Sequence, residues 1–378
     1  MSTLVPGVDP QGLLEYSVVF NDRSLNHMSA IFQNIMRSIS STLKQVYAAE
    51  AVAIVPGGGT YGMEAVARQF AGGKRCLVLR NGWFSYRWTQ IFEMGSIPLE
   101  HKVLKARPVS SDWPSPFRPA PLEEVIQIIQ TEKPELVFAP HVETASGIML
   151  PDAYIQAVAN AVHAVGGLLV LDCIASGTVW VDMKKCGVDI LISAPQKGWS
   201  ASPCSALVML GAEARKRIET TRSSSFACDL LKWLQIMQAY EAGGHAYHAT
   251  MPTDALARFH AVMQEAEALG FARLADQQQE LGQKVRKLLN RRGFISVAAP
   301  GFEAPGVVVC YTEDEGLHKG AKFAQAGLQT AAGVPLMCDE PPTFKTFRLG
   351  LFGLDKLMNV ERTVAQLERA LDQVRSPV

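Results

Sequence analysis

An excess of either charge is absent from this chain: 36 Lys and Arg are matched by 36 Asp and Glu. With no net field to draw it toward nucleic acid or an anionic membrane surface, a small-molecule partner is the simpler expectation. Long apolar runs are also absent. No stretch reaches the about 20 residues needed to span a bilayer. The opening MSTLVPGVDPQG has no basic region followed by an apolar one, so a soluble cytoplasmic protein is expected. The seven cysteines (Cys76, Cys173, Cys186, Cys204, Cys228, Cys310, Cys338) form no Cys-x-x-Cys pair, and their odd number argues against a disulfide framework. They read as reduced, buried, small apolar side chains. Internal repeats and low-complexity segments are missing too.

What the chain does have is size: 378 residues exceed what one core usually holds, so two domains are expected. From about Ala51 to Leu210, short apolar runs alternate with helix-period segments, the pattern of an α/β parallel sheet covered by helices. The runs are Val52–Val55, Cys76–Leu79, Leu136–Ala139, Leu168–Leu171, Ile190–Ile192 and Ala206–Met209. Apolar on both faces, they read as buried central strands. Helical patterns are read over Ala212 to Tyr240, Thr253 to about Arg292 and Val360 to Val374. Short strands are read at Val307–Cys310 and Phe347–Leu349, which together suggest a separate α+β unit. The Pro-rich stretch from Pro108 to Pro121 reads as a surface loop.

Ligands of open parallel sheets bind beyond the carboxyl ends of the strands, so the polar residues that follow each run matter most. Gly57-Gly58-Gly59-Thr60 follows the first run and opens a helix, where bare N–H groups and the Thr60 hydroxyl suit a phosphate. It lacks the Walker lysine and the G-x-G-x-x-G spacing, so a plain tight turn stays open. Asp172 ends a fully apolar strand, where a carboxylate caps a helix or holds a cation. A pyridinium N–H is one such cation. Lys197 follows the next strand in Gln196-Lys197-Gly198-Trp199. It is either a solvated surface residue or an amine whose pKa burial lowers for attack on an aldehyde.

Taken in order, GGGTYGMEA, NGWFSYRW, HVETASG, LLVLDCIASG, SAPQKGW, YHATMP and FRLGLFG resemble the successive motifs of class V aminotransferases, in particular the alanine-glyoxylate and serine-glyoxylate (serine-pyruvate) group. The resemblance runs from about Ala51 to Gly353 and implies fold type I, with a mostly parallel seven-stranded large domain and a smaller C-terminal α+β domain. The corresponding boundaries are a segment 1–20 near the active site, a pyridoxal-phosphate-binding unit 21–255 and a unit 256–378.

It further implies pyridoxal 5'-phosphate as cofactor. Lys197 would carry it as a Schiff base and shuttle the proton, and Asp172 would pair with its ring nitrogen. Thr144 and Gln196 would flank the ring, Phe84 would stack on it, and Gly58, Gly59 and Thr60 would bind the phosphate. Tyr247 and Thr250 would reach the cofactor of a neighbouring subunit, making a homodimer with shared sites. Arg348 would grip the substrate α-carboxylate in a bidentate fork. Phe84 as plain core, Tyr247 and Thr250 as plain loop, and Arg348 in a surface ion pair stay open.

No metal is expected. His245 and His248 lack a third ligand, and His141 is given no catalytic role. Departures from the family lie at Pro6-Gly7-Val8 and Tyr16–Ser24, where relatives carry Pro-Gly-Pro, and around the lysine, at Ala194-Pro195-Gln196 and Ser202-Pro203-Cys204. The amino donor is therefore left open. The favoured reaction moves an amino group from alanine or serine to glyoxylate or pyruvate. Alternatives are an aminophosphonate or pyridoxamine–pyruvate transaminase, or a lyase of cysteine desulfurase type using Cys338.

Overall fold

The computed structural model describes residues 12–375, so the Pro6-Gly7-Val8 segment lies outside the described residues. Seven strands form one sheet: β1 (Ala51–Pro56), β2 (Arg75–Arg80), β3 (Glu100–Lys105), β4 (Leu136–Pro140), β5 (Leu168–Asp172), β6 (Ile190–Ser193) and β7 (Ser205–Leu210). Their order is β1-β7-β6-β5-β4-β2-β3. All six apolar runs are strands. The seventh, β3, is an edge strand whose polar residues Glu100, His101, Lys102 and Lys105 hid it from a search for apolar runs. Only β7 is antiparallel, pairing in that sense with both β1 and β6. The other six strands therefore all point their carboxyl ends to one rim.

Seven helices matter for the site: α1 (Ala30–Tyr47), α2 (Gly59–Phe70), α3 (Trp83–Gly95), α4 (Leu230–Glu241), α5 (Thr253–Leu269), α6 (Phe271–Arg291) and α7 (Val360–Arg375). Helix α2 lies close against the sheet at Gly62, where no side chain intervenes. A Cβ on Gly62 would stand 2.5 Å from that of Ala206 on β7. The large core enclosing the sheet is filled by Trp88, Trp199, Trp233, Tyr240 and Phe138, all essentially unexposed.

Two helical readings need correction. The segment from Thr253 to Arg292 is two helices, broken where Gly270 adopts φ +91°, a conformation outside the helical range that glycine adopts without strain. Between Ala212 and Tyr240 the helix is also interrupted, with short helical turns over Ala212–Arg217 and Ile218–Thr220 and then an irregular stretch before α4. Hydroxyls there bond to nearby backbone instead: Thr221 Oγ1 donates to the Ile218 carbonyl (2.8 Å), and the Ser225 N–H donates to Ser223 Oγ (3.1 Å). The stretch from Pro108 to Pro121 is only partly a surface loop, since Arg107–Pro108 pairs with Phe117–Arg118 and both Ser115 and Phe117 are buried.

A second sheet holds β8 (Val307–Tyr311), β9 (Ala331–Ala332) and β10 (Thr346–Gly350) in the order β8-β10-β9. Alternation along its strands decides how it meets the rim. On β8, Val308 and Cys310 join the core formed with α6 and α7, whereas Val307, Val309 and Tyr311 join a third cluster with Val142, Ala145 and Leu336. On β10, Phe347 and Leu349 face the α6–α7 core, which leaves Arg348 on the opposite side, toward the large sheet. Among the described residues no helix is long and apolar enough to cross a membrane.

Candidate active site

Five loops leaving the carboxyl ends of parallel strands converge on one cavity, lined by Gly59 and Thr60 after β1, Phe84 after β2, Thr144 after β4, Asp172 on β5, and Gln196 and Lys197 after β6. Gly58 is the N-cap residue of α2, directly before Gly59. Because β5 and β6 are adjacent and parallel, Asp172 and Lys197 reach this rim together.

Asp172 is buried, and one carboxylate oxygen accepts the Ile174 N–H at 2.9 Å. Burial pushes its carboxyl up to about 7, and Glu143 adds to that; the Ile174 N–H and the cations Arg87 and Lys197 oppose it. Burial likewise pulls the Lys197 ammonium below its usual range. Arg348 and Arg87 add to that depression, while Asp172 opposes it. The Lys197 amine makes no hydrogen bond or ion pair within the described residues and sits 5.5 Å from the Phe352 ring centre. It is half-buried, and the downward shift makes its nucleophilic neutral form more accessible than that of a solvated lysine.

The backbone that carries Lys197 has no slack. A Cβ on Gly198 would lie 1.9 Å from the Gly177 carbonyl oxygen, a backbone atom that cannot swing aside. Gly198→Ala should therefore lower stability by at least about 2 kcal/mol and displace the lysine loop. Thermal melts and the rate of covalent capture of an added aldehyde at Lys197 check this; unchanged values for both would show that the loop yields.

Arg348 crosses from β10 to the same rim. Its Nε donates to the Ala332 carbonyl (2.7 Å), and Nη1 reaches the Thr144 carbonyl at 3.5 Å. The guanidinium lies 5.5 Å from the Phe84 ring centre and has no carboxylate partner in the described residues. Tyr247 and Thr250 are not brought to this cavity. They are exposed, and their hydroxyls pair with each other at 3.2 Å.

Sequence reasoning missed two residues here. Glu143, fully buried, closes the N-terminus of α3: its oxygens accept the N–H groups of Phe84 (3.2 Å), Ser85 (2.9 Å) and Ala145 (3.0 Å) and the Ser85 hydroxyl (2.7 Å). It thereby fixes Phe84 in place and complements the helix dipole. Arg87, three residues after Phe84 on α3, also lines the cavity. Helical spacing from Phe84 was the signal available for it.

No histidine is among the described residues lining this cavity. His141 is buried, bonds Ser176 Oγ at 2.7 Å, and burial pulls its pKa down to about 4; His248 bonds the Phe226 carbonyl at 2.8 Å. Cys338 is also buried, with its thiol against the Arg80 carbonyl at 3.4 Å and its pKa pushed up mainly by burial, the reverse of what a mobile nucleophile needs. All seven cysteines are free and buried.

These donors fit pyridoxal phosphate: an amine of lowered pKa, a buried carboxylate short of a cation, and a buried Gln196 Oε1 that accepts no hydrogen bond. The helix start at Gly59 offers N–H groups to a phosphate.

Comparison with known proteins agrees. The family model described as aminotransferase class-V matches residues 13–323. A soluble hydrogenase small subunit from Synechococcus sp. (strain PCC 6716) is 24% identical over 80% of this chain and 76% of its own length. An L-aspartate–glyoxylate aminotransferase from Paracoccus denitrificans is 28% identical over 53% of this chain and 49% of its own. The chain thus spans about half the length of that second relative. The crystal structure of an alanine–glyoxylate aminotransferase from Nostoc sp. shares the fold, with a TM-score of 0.77, 21% identity, and coverage of 93% of this chain and 89% of that one. The chain belongs to the class V aminotransferase family and is a pyridoxal-phosphate-dependent transaminase.

Proposed function

We propose that the enzyme moves an amino group between a small amino acid of the alanine or serine type and a 2-oxo acid such as glyoxylate or pyruvate. The observation that carries this is Arg348, a half-buried guanidinium delivered to the lysine rim without a carboxylate partner in the described residues. Such a fork recognises an α-carboxylate and orients the Cα–H bond beside it. The glyoxylate-dependent activities named for the Paracoccus and rat relatives support the choice of acceptor.

The bound cofactor supplies an aldehyde and an electron-withdrawing ring. Lys197 would be the amine that holds it, and the same Nζ would serve as the base that moves the substrate Cα proton. Asp172 would hold the ring nitrogen and Phe84 would stack on the ring. Thr144 and Gln196 would flank the ring, the Gln196 side-chain oxygen being buried with no hydrogen-bond donor among the described residues. Gly58, Gly59 and Thr60 would take the phosphate.

Tyr247 and Thr250, exposed and remote from this chain's own cavity, serve the partner's cofactor in a homodimer, so a monomer is inactive. We also assign the chain to the cytoplasm. Its organisation is a cofactor-binding unit over 21–255 and a smaller unit over 256–378, with the 1–20 segment near the site. Buried Cys338 disfavours the desulfurase alternative.

A screen of amino donors, following loss of the holoenzyme's visible band, tests the reading. Alanine or serine should convert the band, and Arg348→Gln should raise the KM for the converting donor by about a hundredfold with kcat less affected. Conversion only by donors lacking an α-carboxylate, or an unchanged KM in the variant, would sink it.

A further inference from the structure

We propose that Arg87 is the cationic ligand of the cofactor phosphate, a role that rests on the pyridoxal phosphate assignment. The glycine loop before α2 lacks the lysine that phosphate loops of the Walker type carry. Arg87 brings a positive charge to the same place from a different element. Its Nη1 donates to Thr60 Oγ1 at 3.0 Å, and its guanidinium lies over the Phe84 ring, 4.6 Å from the centre. It lines the cavity beside Gly59 and Thr60.

No Asp or Glu among the described residues pairs with it, although it is half-buried. The first N–H groups of the 12-residue helix α2 point the same way, and both features are positive. Among the described residues Asp172 is the one carboxylate lining this cavity and it makes no ion pair with Arg87, so an anion bound beside both positive features lowers the cost of holding them. A phosphate monoester near neutral pH carries almost two negative charges and accepts bidentate bonds from a guanidinium.

Phe84 lies close to two cations with different tasks. Arg87 lies 4.6 Å from the ring centre and Arg348 lies 5.5 Å from it, the first beside the helix start and the second beside Thr144. Arg87 also acts on the reacting groups through space: it favours the ionised form of Asp172 and disfavours the ammonium of Lys197. A bound phosphate dianion offsets that field, so cofactor binding and lysine basicity are coupled through this residue.

The test compares wild type, Arg87→Gln and Arg87→Lys as full-length protein, measuring affinity for pyridoxal phosphate, for pyridoxal without phosphate, and for inorganic phosphate as a competitor. Arg87→Gln should weaken pyridoxal phosphate binding by about ten- to a hundredfold, leave pyridoxal binding within twofold, and abolish competition by inorganic phosphate. Arg87→Lys should recover part of the loss by keeping the charge without the fork. If the glutamine variant fails to fold, the ratio of the two affinities in the lysine variant decides. Equal weakening of both aldehydes, or no weakening, overturns the proposal. So does a variant that dissociates in sedimentation with its phosphate preference intact, because Arg87 would then serve a partner carboxylate. A wild type that binds pyridoxal phosphate without a visible band would instead overturn the role of Lys197 and leave the Arg87 comparison readable.

Discussion

Lys197→Ala is expected to abolish the visible band of the cofactor-bound enzyme and to slow transamination by at least about 10⁴-fold. Two losses combine. The variant has no amine for covalent attachment, and the neighbouring groups among the described residues are already engaged: His141 is buried against Ser176, one Asp172 oxygen accepts the Ile174 N–H, and Glu143 accepts from four donors. Burial and the cations Arg348 and Arg87 already hold the native amine below the usual lysine range, so its proton is readily given up. Absorbance spectra and single-turnover rates check the prediction. A variant that keeps substantial turnover would remove Lys197 from the mechanism.

Asp172→Asn is expected to lower activity by about 10²- to 10³-fold, because the charge that holds the ring-nitrogen proton is lost from a site that water does not compensate. The same substitution should stabilise the cofactor-free protein. Burial raises the folded pKa of Asp172 to about 7, from an ordinary carboxyl value near 4 in the unfolded chain. Between those values the folded state binds more protons than the unfolded one, so stability falls as pH rises through that window. The loss is complete above the folded pKa and is on the order of 4 kcal/mol. Asparagine has no charge to bury and keeps an oxygen for the Ile174 N–H. Melting temperatures of the cofactor-free proteins from pH 4 to pH 8 should therefore converge at the acid end and diverge at the alkaline end. Parallel curves would contradict the raised carboxyl.

Much of the fold was legible because buried parallel strands leave an unambiguous trace: six apolar runs with no polar residue inside, each followed by turn or polar residues. The edge strand β3 left none, since one side of it meets water and its residues are charged in turn. The direction of β7 was equally hidden. Its residues are as apolar as those of its parallel neighbours, and strand polarity depends on how the connection runs, which composition does not record. Gly270, by contrast, stood in plain view inside a helical pattern, yet only the backbone shows that it ends one helix and opens another.

The sequence by itself pointed to Lys197 and Asp172 sharing one rim. Parallel strands of one sheet end at the same rim, so a carboxylate and an amine that follow two such runs are carried to the same edge. Tertiary structure decided what surrounds them. Arg348 reaches the rim because Phe347 and Leu349 on either side of it are drawn into the core under α6 and α7. Glu143 becomes the cap of α3 only through packing across about sixty residues of chain, as its bonds to Phe84 and Ser85 show. Arg87 has no ion-pair partner among the described residues because the fold brings no carboxylate within bonding reach of it. Charge compensation depends on distance in space, which a linear chain fixes only between near neighbours, and the electrostatics around the lysine were therefore left to the fold.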